Sequence, residues 1–200
     1  MDPARLAGFL MFALAASITP GPNNLMMMAS GTVFGLKRTV PHMTGVILGF
    51  GAMTLAVGLG LAQVLKASPL VFGVLRWAAA AYILYIAWRM VTAKGPGIAV
   101  TGEKPMSFLG AVAFQWVNPK AWVMALGAVG TYAEHGRFLV DVILIAVVFM
   151  IVTVPCALTW TGLGSGIRRW FKKPGHLKAF NWTMAALLVL SLYPLVTEPL

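Results

Sequence analysis

Charged residues are scarce in this chain of 200 residues, and acidic residues are the scarcest. Asp and Glu together number 5, and charged residues make up 10% of the chain, whereas hydrophobic residues make up 60%. An average globular protein contains roughly 25% charged residues. Because a soluble protein of this length could not bury so much apolar surface, the composition excludes an ordinary soluble domain and predicts a membrane protein.

Residues that carry enzyme chemistry are also few. The one cysteine, Cys156, lies in an apolar stretch, so the chain can form no intramolecular disulfide. The acidic residues and histidines all fall outside the expected membrane midplane: Asp2, Glu103, Glu134, Asp141, Glu198, His42, His135 and His176. No carboxylate pair, metal cluster or nucleophile with a base is therefore available at membrane depth. The sequence predicts no enzyme activity, no cofactor and no metal site.

Long apolar stretches dominate what is present. A transmembrane helix needs about 20 mostly apolar residues, and six stretches qualify, at 6–30, 40–65, 69–91, 107–132, 138–163 and 177–196. Residues 6–16 also resemble a signal peptide. However, the head of this segment has one Arg against one Asp, and apolar character resumes at 25–28. We therefore expect an uncleaved first span and one all-α transmembrane transporter domain over 1–200.

The basic residues that give the net charge of +10 lie in short segments between these stretches. This pattern is typical of loops that set membrane topology and contact lipid headgroups, and it argues against nucleic-acid binding. One set of loops carries ten basic residues: Lys37, Arg38, Arg89, Lys94, Lys104, Arg168, Arg169, Lys172, Lys173 and Lys178. The opposite side carries Arg5, Lys66 and Arg137. The positive-inside rule then predicts a multi-pass protein of the bacterial inner membrane with both termini periplasmic.

Two helix breaks support an internal repeat. Three spans on either side of a cytoplasmic loop, 92–106, give two halves of opposite orientation, about 1–91 and 107–200, as in inverted-repeat transporters. The first span of each half is interrupted by helix breakers, at 19–24 and at 118–120, and we expect corresponding depths. Asn118-Pro119 has the pattern of a helix N-cap and first residue, and Thr19-Pro20 or Gly21-Pro22 has the same pattern.

Helix restarts in mid-membrane predict a binding site. A helix N-terminus carries about half a positive charge and unpaired N–H groups, so two such ends at one cavity would bind an anionic group. Lys120 lies about 13 residues into its span, roughly 20 Å deep, where a cation needs water or an anion. It either attracts the anion, or it snorkels or donates to carbonyls freed by the break. Simple kinks in packing helices are the alternative for both breaks.

Other span residues have mainly structural interpretations. Tyr82 and Tyr85 lie on one stripe of the third span, where packing is the default and cavity lining the alternative. Gly45 and Gly49 form a pair of small residues suited to a close helix approach.

At these positions the sequence resembles the LysE/RhtB family of bacterial amino-acid exporters. The motifs are Ile18 to Asn24, Gly35 with Lys37-Arg38, Trp77 to Tyr82, and Phe114 to Lys120. The first span and residues 114–118 look most like the branch that exports cysteine and O-acetylserine. The resemblance implies export of amino acids or close derivatives by a proton-driven antiporter with alternating access. The candidate substrate-binding residues are Thr19, Pro20, Gly21, Pro22, Asn23, Asn24, Gln115, Asn118, Pro119, Lys120, Tyr82 and Tyr85.

One departure from the family bears on the substrate. Some relatives place an Asp in the fifth span, where this chain reads Thr153-Val154-Pro155-Cys156. Without a buried carboxylate for a basic side chain, we expect a neutral substrate such as cysteine, homoserine, leucine or threonine, and Lys120 is the hypothetical proton carrier. A passive amino-acid channel or facilitator is the alternative function. Six short helices leave little room for an enclosed cavity, which is compatible with a homodimer.

Overall fold

The structure, a computed structural model, describes residues 1–61, 68–92, 104–167 and 174–193. This part of the chain is helical and contains no strand, so the all-α prediction is confirmed for it. Its α-helices are α1 (Pro3–Ile18), α2 (Pro22–Ala56), α3 (Pro69–Thr92), α4 (Phe108–Gln115), α5 (Pro119–Tyr132), α6 (Phe138–Ile167) and α7 (Pro174–Leu190). A π-helical turn, Val57–Leu61, follows α2, and a 3₁₀ turn, His135–Arg137, precedes α6.

Local sequence signals explain where several helices begin and bend. The Asp2 carboxylate accepts a hydrogen bond from the Arg5 N–H at 2.9 Å, and Pro3 follows it as the first residue of α1. The Ser107 hydroxyl caps α4 in the same way by accepting from the Gly110 N–H at 3.0 Å. Within α2, Gly35 has φ 77°, in the left-handed region that favours glycine. The bend there divides α2 into a first segment, 22–34, and a second segment, 36–56.

The two helix breaks follow helices of different length. The first break comes after α1, which has 16 residues, and the second after α4, which has 8. The Asp2 cap starts α1 before the predicted span, while Ser107 starts α4 at its predicted edge. The corresponding depth of the two breaks in the membrane stays a prediction.

In the described residues, two helices are long and apolar enough to cross a membrane, Pro22–Leu61 and Phe138–Ile167. The helix before the first break, α1, and the helices on both sides of the second break, α4 and α5, are too short to cross alone, since a span needs about 20 residues. The six-span arrangement stays a prediction.

Glycines allow α2 to touch its neighbours closely. A methyl group at Gly31 would overlap the carbonyl oxygen of Thr161 in α6, and one at Gly164 would overlap that of Met28. At Gly45 a methyl group would lie 2.5 Å from the Phe108 carbonyl oxygen, at the start of α4. The predicted role of Gly45 in a close helix approach is confirmed. Small residues let helix backbones approach where lipid supplies no hydrophobic drive.

Two apolar clusters meet at the first break. Phe9 and Ala13 of α1 pack in a cluster with α5 and α6, in which the Phe9 and Phe149 ring centroids are 5.2 Å apart. Leu25 and Met26, just after the break, belong to a second cluster with α3 and α7. The chain thus passes from one cluster to the other across residues 19–21.

Ionic contacts join the start of α1 to the connector between α5 and α6. The Met1 amine lies 3.0 Å from an Asp141 carboxylate oxygen, and Asp141 is fully buried. Arg5 pairs with Glu134 and donates to the Thr131 carbonyl at 3.1 Å. The N-terminus and residues 133–137 therefore lie at the same end of the helix assembly.

Candidate functional site

The first break exposes carbonyl groups of α1 that side chains then pair. Pro20 and Pro22 have no backbone N–H, so the last turn of α1 cannot complete its hydrogen-bond ladder. The Asn24 side chain donates to the Ser17 carbonyl at 2.8 Å and to the Thr19 carbonyl at 2.9 Å. One amide thus pairs two of the freed carbonyls, and it is itself buried.

Two further donors reach this break from distant helices. The Trp160 indole N–H of α6 donates to the Ile18 carbonyl at 3.1 Å. The Lys120 ammonium of α5 donates to the Thr19 carbonyl at 2.5 Å. Of the roles that the sequence left open for Lys120, the structure shows donation to a carbonyl freed by the break.

Glycine at position 21 accommodates the stem of this lysine. Gly21 is buried, and a methyl group there would lie 2.6 Å from the Lys120 Cδ. The lysine is half-buried and its stem lies against the backbone of the break. The Pro-Gly-Pro run therefore both interrupts the helix and leaves room for the cation.

The second break is closed by its own residues. The N–H groups of residues 116–118 each donate to the carbonyl three residues earlier, at 3.1–3.2 Å. The Asn118 side chain then accepts from the Lys120 N–H at 3.2 Å, and Pro119 is the first residue of α5. The predicted N-cap and N-terminal proline at Asn118-Pro119 are confirmed.

The two helix starts differ in their free donors. In α5, the N–H groups of Ala121 and Trp122 donate to the Asn118 carbonyl, so the first turn is paired. In α2, Gly21 provides no side-chain cap. The backbone N–H groups of Asn23 and Asn24 make no hydrogen bond within the described ranges. Only the α2 end therefore offers unpaired N–H groups together with a helix dipole.

A side-chain amide pair connects the two breaks. The Asn23 side-chain N–H donates to the Gln115 side-chain oxygen at 2.8 Å, and the Gln115 side-chain N–H donates to the Asn23 side-chain oxygen at 3.3 Å. Gln115 also donates to the Ala111 carbonyl at 2.8 Å and is fully buried. Because α4 holds Gln115, this pair fixes the start of α2 against the helix that precedes the second break.

A cavity of about 400 Å³, counting its open mouth, lies between the breaks. Its lining combines predicted site residues with residues that were not predicted: Ala16, Ser17, Gly21, Asn23, Asn24, Val46, Phe50, Asn118, Lys120, Ala121, Met124 and Thr153. Five predicted site residues are thus brought together, and Thr19 and Gln115 contact them through the hydrogen bonds above.

The two predicted tyrosines lie elsewhere. Neither Tyr82 nor Tyr85 lines this cavity. The Tyr82 ring packs against Phe114, with centroids 5.7 Å apart, and the Tyr85 hydroxyl accepts a hydrogen bond from Arg89 at 3.0 Å. Both side chains are exposed, at 38% and 48%. Their role in substrate binding stays a prediction, and the cavity between the breaks gives it no support.

Several residues near the site were not singled out by sequence reasoning. Thr153 lines the cavity, although the sequence drew attention to it only as a place where relatives carry Asp. Val46 and Phe50 line it from one face of α2, four residues apart, a spacing that carries little signal in an apolar span. His42, one turn before Val46, is fully buried, and neither ring nitrogen has a hydrogen-bond partner in the described structure.

Comparisons with known proteins find related sequences over almost the whole chain. The family described as LysE type translocator matches residues 14–195. The chain is 30% identical over 202 residues to the cysteine/O-acetylserine efflux protein of Klebsiella pneumoniae, covering 99% of this chain and 100% of that protein. It is also 30% identical over 193 residues to the protein of the same name from Escherichia coli strain K12, covering 94% and 96%. No solved structure matches.

The match covers the parts of the chain that form the cavity. The family match begins within α1 and extends beyond α7, so it includes both helix breaks and α6. The resemblance predicted from the motifs around the breaks is confirmed. The chain belongs to the LysE family of translocators.

Proposed function

We propose that this protein is a secondary active exporter of small neutral amino acids or their close derivatives in the bacterial inner membrane. The observation that carries the proposal is the meeting of two helix breaks, one from each half of the chain, around Lys120 at one cavity. The names of the relatives from K. pneumoniae and E. coli, both efflux proteins for cysteine and O-acetylserine, support the same class of substrate.

The proposed topology has six spans in two inverted halves, with both termini periplasmic and residues 92–106 cytoplasmic. The contacts of Met1 and Arg5 with the α5–α6 connector support it, because the positive-inside rule assigns that connector and the N-terminus to one side. The Thr32 hydroxyl donates to the Gly164 carbonyl at 3.1 Å, which joins the far ends of the first α2 segment and α6. In the proposed topology these two groups of contacts lie on opposite sides of the membrane, because the first and fifth spans each run from one group to the other.

The substrate carboxylate is proposed to bind at the start of α2. The free N–H groups of Asn23 and Asn24, the positive end of the helix dipole and the Lys120 ammonium all favour an anion there. The substrate ammonium would donate hydrogen bonds to the freed carbonyls of Ser17 and Thr19 and to the side-chain oxygens of the asparagines that line the cavity. None of the residues that line the cavity is acidic, so a basic side chain on the substrate would find no counter-ion there.

Lys120 is proposed to couple substrate binding to conformational change. Its hydrogen bond to Thr19 ties the end of α1 to the start of α5. A carboxylate at the α2 start competes with that neutral carbonyl for the ammonium, and a charged acceptor forms the stronger hydrogen bond. Binding would thereby release the two broken helices from one another. The same amine is the proposed carrier of the coupling proton, since a lysine in a desolvated site can release and regain a proton.

Transport by purified protein in proteoliposomes tests the proposal. Wild-type protein is expected to show counterflow of radiolabelled serine and accumulation driven by a pH gradient. Lys120→Met should abolish both, because it removes the ammonium. Lys120→Arg keeps the charge and cannot release a proton at ordinary pH, so it should retain counterflow and lose the dependence on the pH gradient.

Matched measurements separate the possible outcomes. Lys104→Met, at an exposed lysine before α4, serves as the control and should leave transport unchanged. Unchanged transport with intact pH dependence in Lys120→Met would reject the proposed role of Lys120. Flux without counterflow would indicate a channel, and counterflow without accumulation against a gradient would indicate a passive facilitator.

A further inference from the structure

The cavity has two chemically different parts. The break residues supply its polar part, whereas Val46 and Phe50 of α2 and Met124 of α5 supply large apolar side chains. Met124 follows Lys120 by one helical turn, so the apolar part begins one turn away from the ammonium. An amino acid whose carboxylate lies at Lys120 would direct its side chain toward these residues.

Thr153 brings a hydroxyl group into this apolar part. It lines the cavity from α6 and is 8% exposed. Phe149, one turn earlier on α6, packs on Phe50 with ring centroids 4.9 Å apart. Thr153 therefore follows the apolar Phe149 by one helical turn and shares the cavity with Lys120 and Met124.

The Thr153 hydroxyl lines the cavity without the intrahelical hydrogen bond that several other helix threonines make. Thr32, Thr54 and Thr159 each donate to the carbonyl four residues earlier, at 2.8–2.9 Å. Thr153 makes no such hydrogen bond, and its hydroxyl has no partner in the described part of the chain. Because Thr153 lines the cavity, a ligand atom there could supply the missing hydrogen bond.

We infer that Thr153 is a specificity-determining residue that recognises a hydrogen-bonding atom in a short, neutral substrate side chain. The inference rests on the proposed function and narrows its substrate class to amino acids with a hydroxyl, thiol or ester group. A purely aliphatic side chain of the same size leaves the Thr153 hydroxyl unpaired. Sites built to hydrogen-bond a substrate group discriminate strongly against analogues that lack it.

Competition between two amino acids of equal side-chain size tests this inference. Serine and 2-aminobutyrate differ in one position, where a hydroxyl replaces a methyl group. Each is added unlabelled against counterflow of radiolabelled serine in proteoliposomes, and the ratio of half-inhibitory concentrations is measured. Wild-type protein should prefer serine by roughly 3- to 10-fold, the range expected for one neutral hydrogen bond.

Variants at position 153 assign the preference to the hydroxyl. Thr153→Val keeps the shape and removes the hydroxyl, so the ratio should fall to about 1. Thr153→Ser keeps the hydroxyl and should retain the preference. Thr153→Ala also lacks the hydroxyl, and it gives the same measurement if the valine variant does not fold.

The outcomes distinguish this inference from the proposed function. An unchanged preference in Thr153→Val or Thr153→Ala, with transport intact, overturns the role of Thr153. Equal inhibition of wild-type protein by serine and 2-aminobutyrate overturns the substrate class. Absence of transport of any amino acid by wild-type protein overturns the proposed function itself.

Discussion

The two helix breaks have similar sequences but are stabilised in different ways. At the first break, the carbonyls of residues 17–19 are paired by side chains, and two of the donors, Lys120 and Trp160, come from α5 and α6. At the second break, residues 116–118 pair with carbonyls three residues earlier, and Asn118 caps the helix that follows. The first break depends on tertiary contacts, whereas the second is a local turn.

This difference suggests separate roles in transport. A turn that satisfies its own backbone can hold Lys120 at a constant position whatever its neighbours do. A break whose hydrogen-bond donors come from other helices can lose those hydrogen bonds when a substrate competes for the same donors. We therefore expect the moving element to be the first break and the start of α2, with the second break as the fixed support.

The same substitution at one asparagine of each break should have unequal consequences for stability. Asn24→Ala leaves the buried Ser17 carbonyl unpaired and weakens the pairing of Thr19, which should cost about 2–4 kcal/mol. Asn118→Ala removes one helix cap and should cost about 1 kcal/mol. Thermal unfolding in detergent measures both, and Asn118→Asp, which keeps the accepting oxygen, should restore most of the loss. Equal losses at Asn24 and Asn118 would contradict the comparison.

Glycine-to-alanine substitutions should have different effects on stability in the two helices that follow the breaks. A methyl group at Gly31 would overlap the Thr161 carbonyl, a backbone atom that cannot rotate away, so Gly31→Ala should cost about 1–3 kcal/mol. Gly130 of α5 has nothing within 4 Å of such a methyl group. Gly130→Ala should therefore be neutral or slightly stabilising, as alanine favours the helix. A Gly130→Ala protein that unfolds at lower temperature than Gly31→Ala would reverse this assignment.

The amide pair between the breaks should show energetic coupling. A double-mutant cycle with Asn23→Ala and Gln115→Ala is expected to give an interaction energy of about 1 kcal/mol, because the two side chains share two hydrogen bonds. Chemical unfolding of the four proteins measures this energy. Additive losses would mean that the two breaks are not connected through this pair.

Two tryptophan substitutions should have the smallest effects on stability and give the most selective test. The indole N–H of Trp160 donates to a carbonyl of the first break, and that of Trp122 donates to the Trp116 carbonyl of the second break at 3.0 Å. Phenylalanine at either position should cost about 1 kcal/mol of stability. Transport rates should change in Trp160→Phe and remain at the wild-type level in Trp122→Phe. A transport defect confined to Trp122→Phe would make the second break the moving element.

Local chemistry made parts of the site predictable. The Asn118-Pro119 cap, the interruption around Pro20 and the close approach at Gly45 were all expected, because each depends on a few adjacent residues and on the backbone limits of proline and glycine. The two breaks and Lys120 were expected at one cavity, whereas the donation from Lys120 to a freed carbonyl was expected only as an alternative to binding an anion.

Other parts of the site depended on distant residues. The donation from Trp160 and the position of Thr153 in the cavity both require α6 to pass beside the first break. The unequal lengths of α1 and α4 were also not expected, since the apolar stretches around them offered no sharp boundary.

The sequence alone determined that this chain suits a membrane, that its helices are interrupted at two places, and that one lysine follows the second interruption. These properties depend on composition and on bonds between neighbouring residues. Only the tertiary structure decided which side chains pair the carbonyls of the first break and which residues face the cavity. In a chain whose lipid-facing and protein-facing surfaces are equally apolar, hydrophobic periodicity does not reveal which face of a helix is buried.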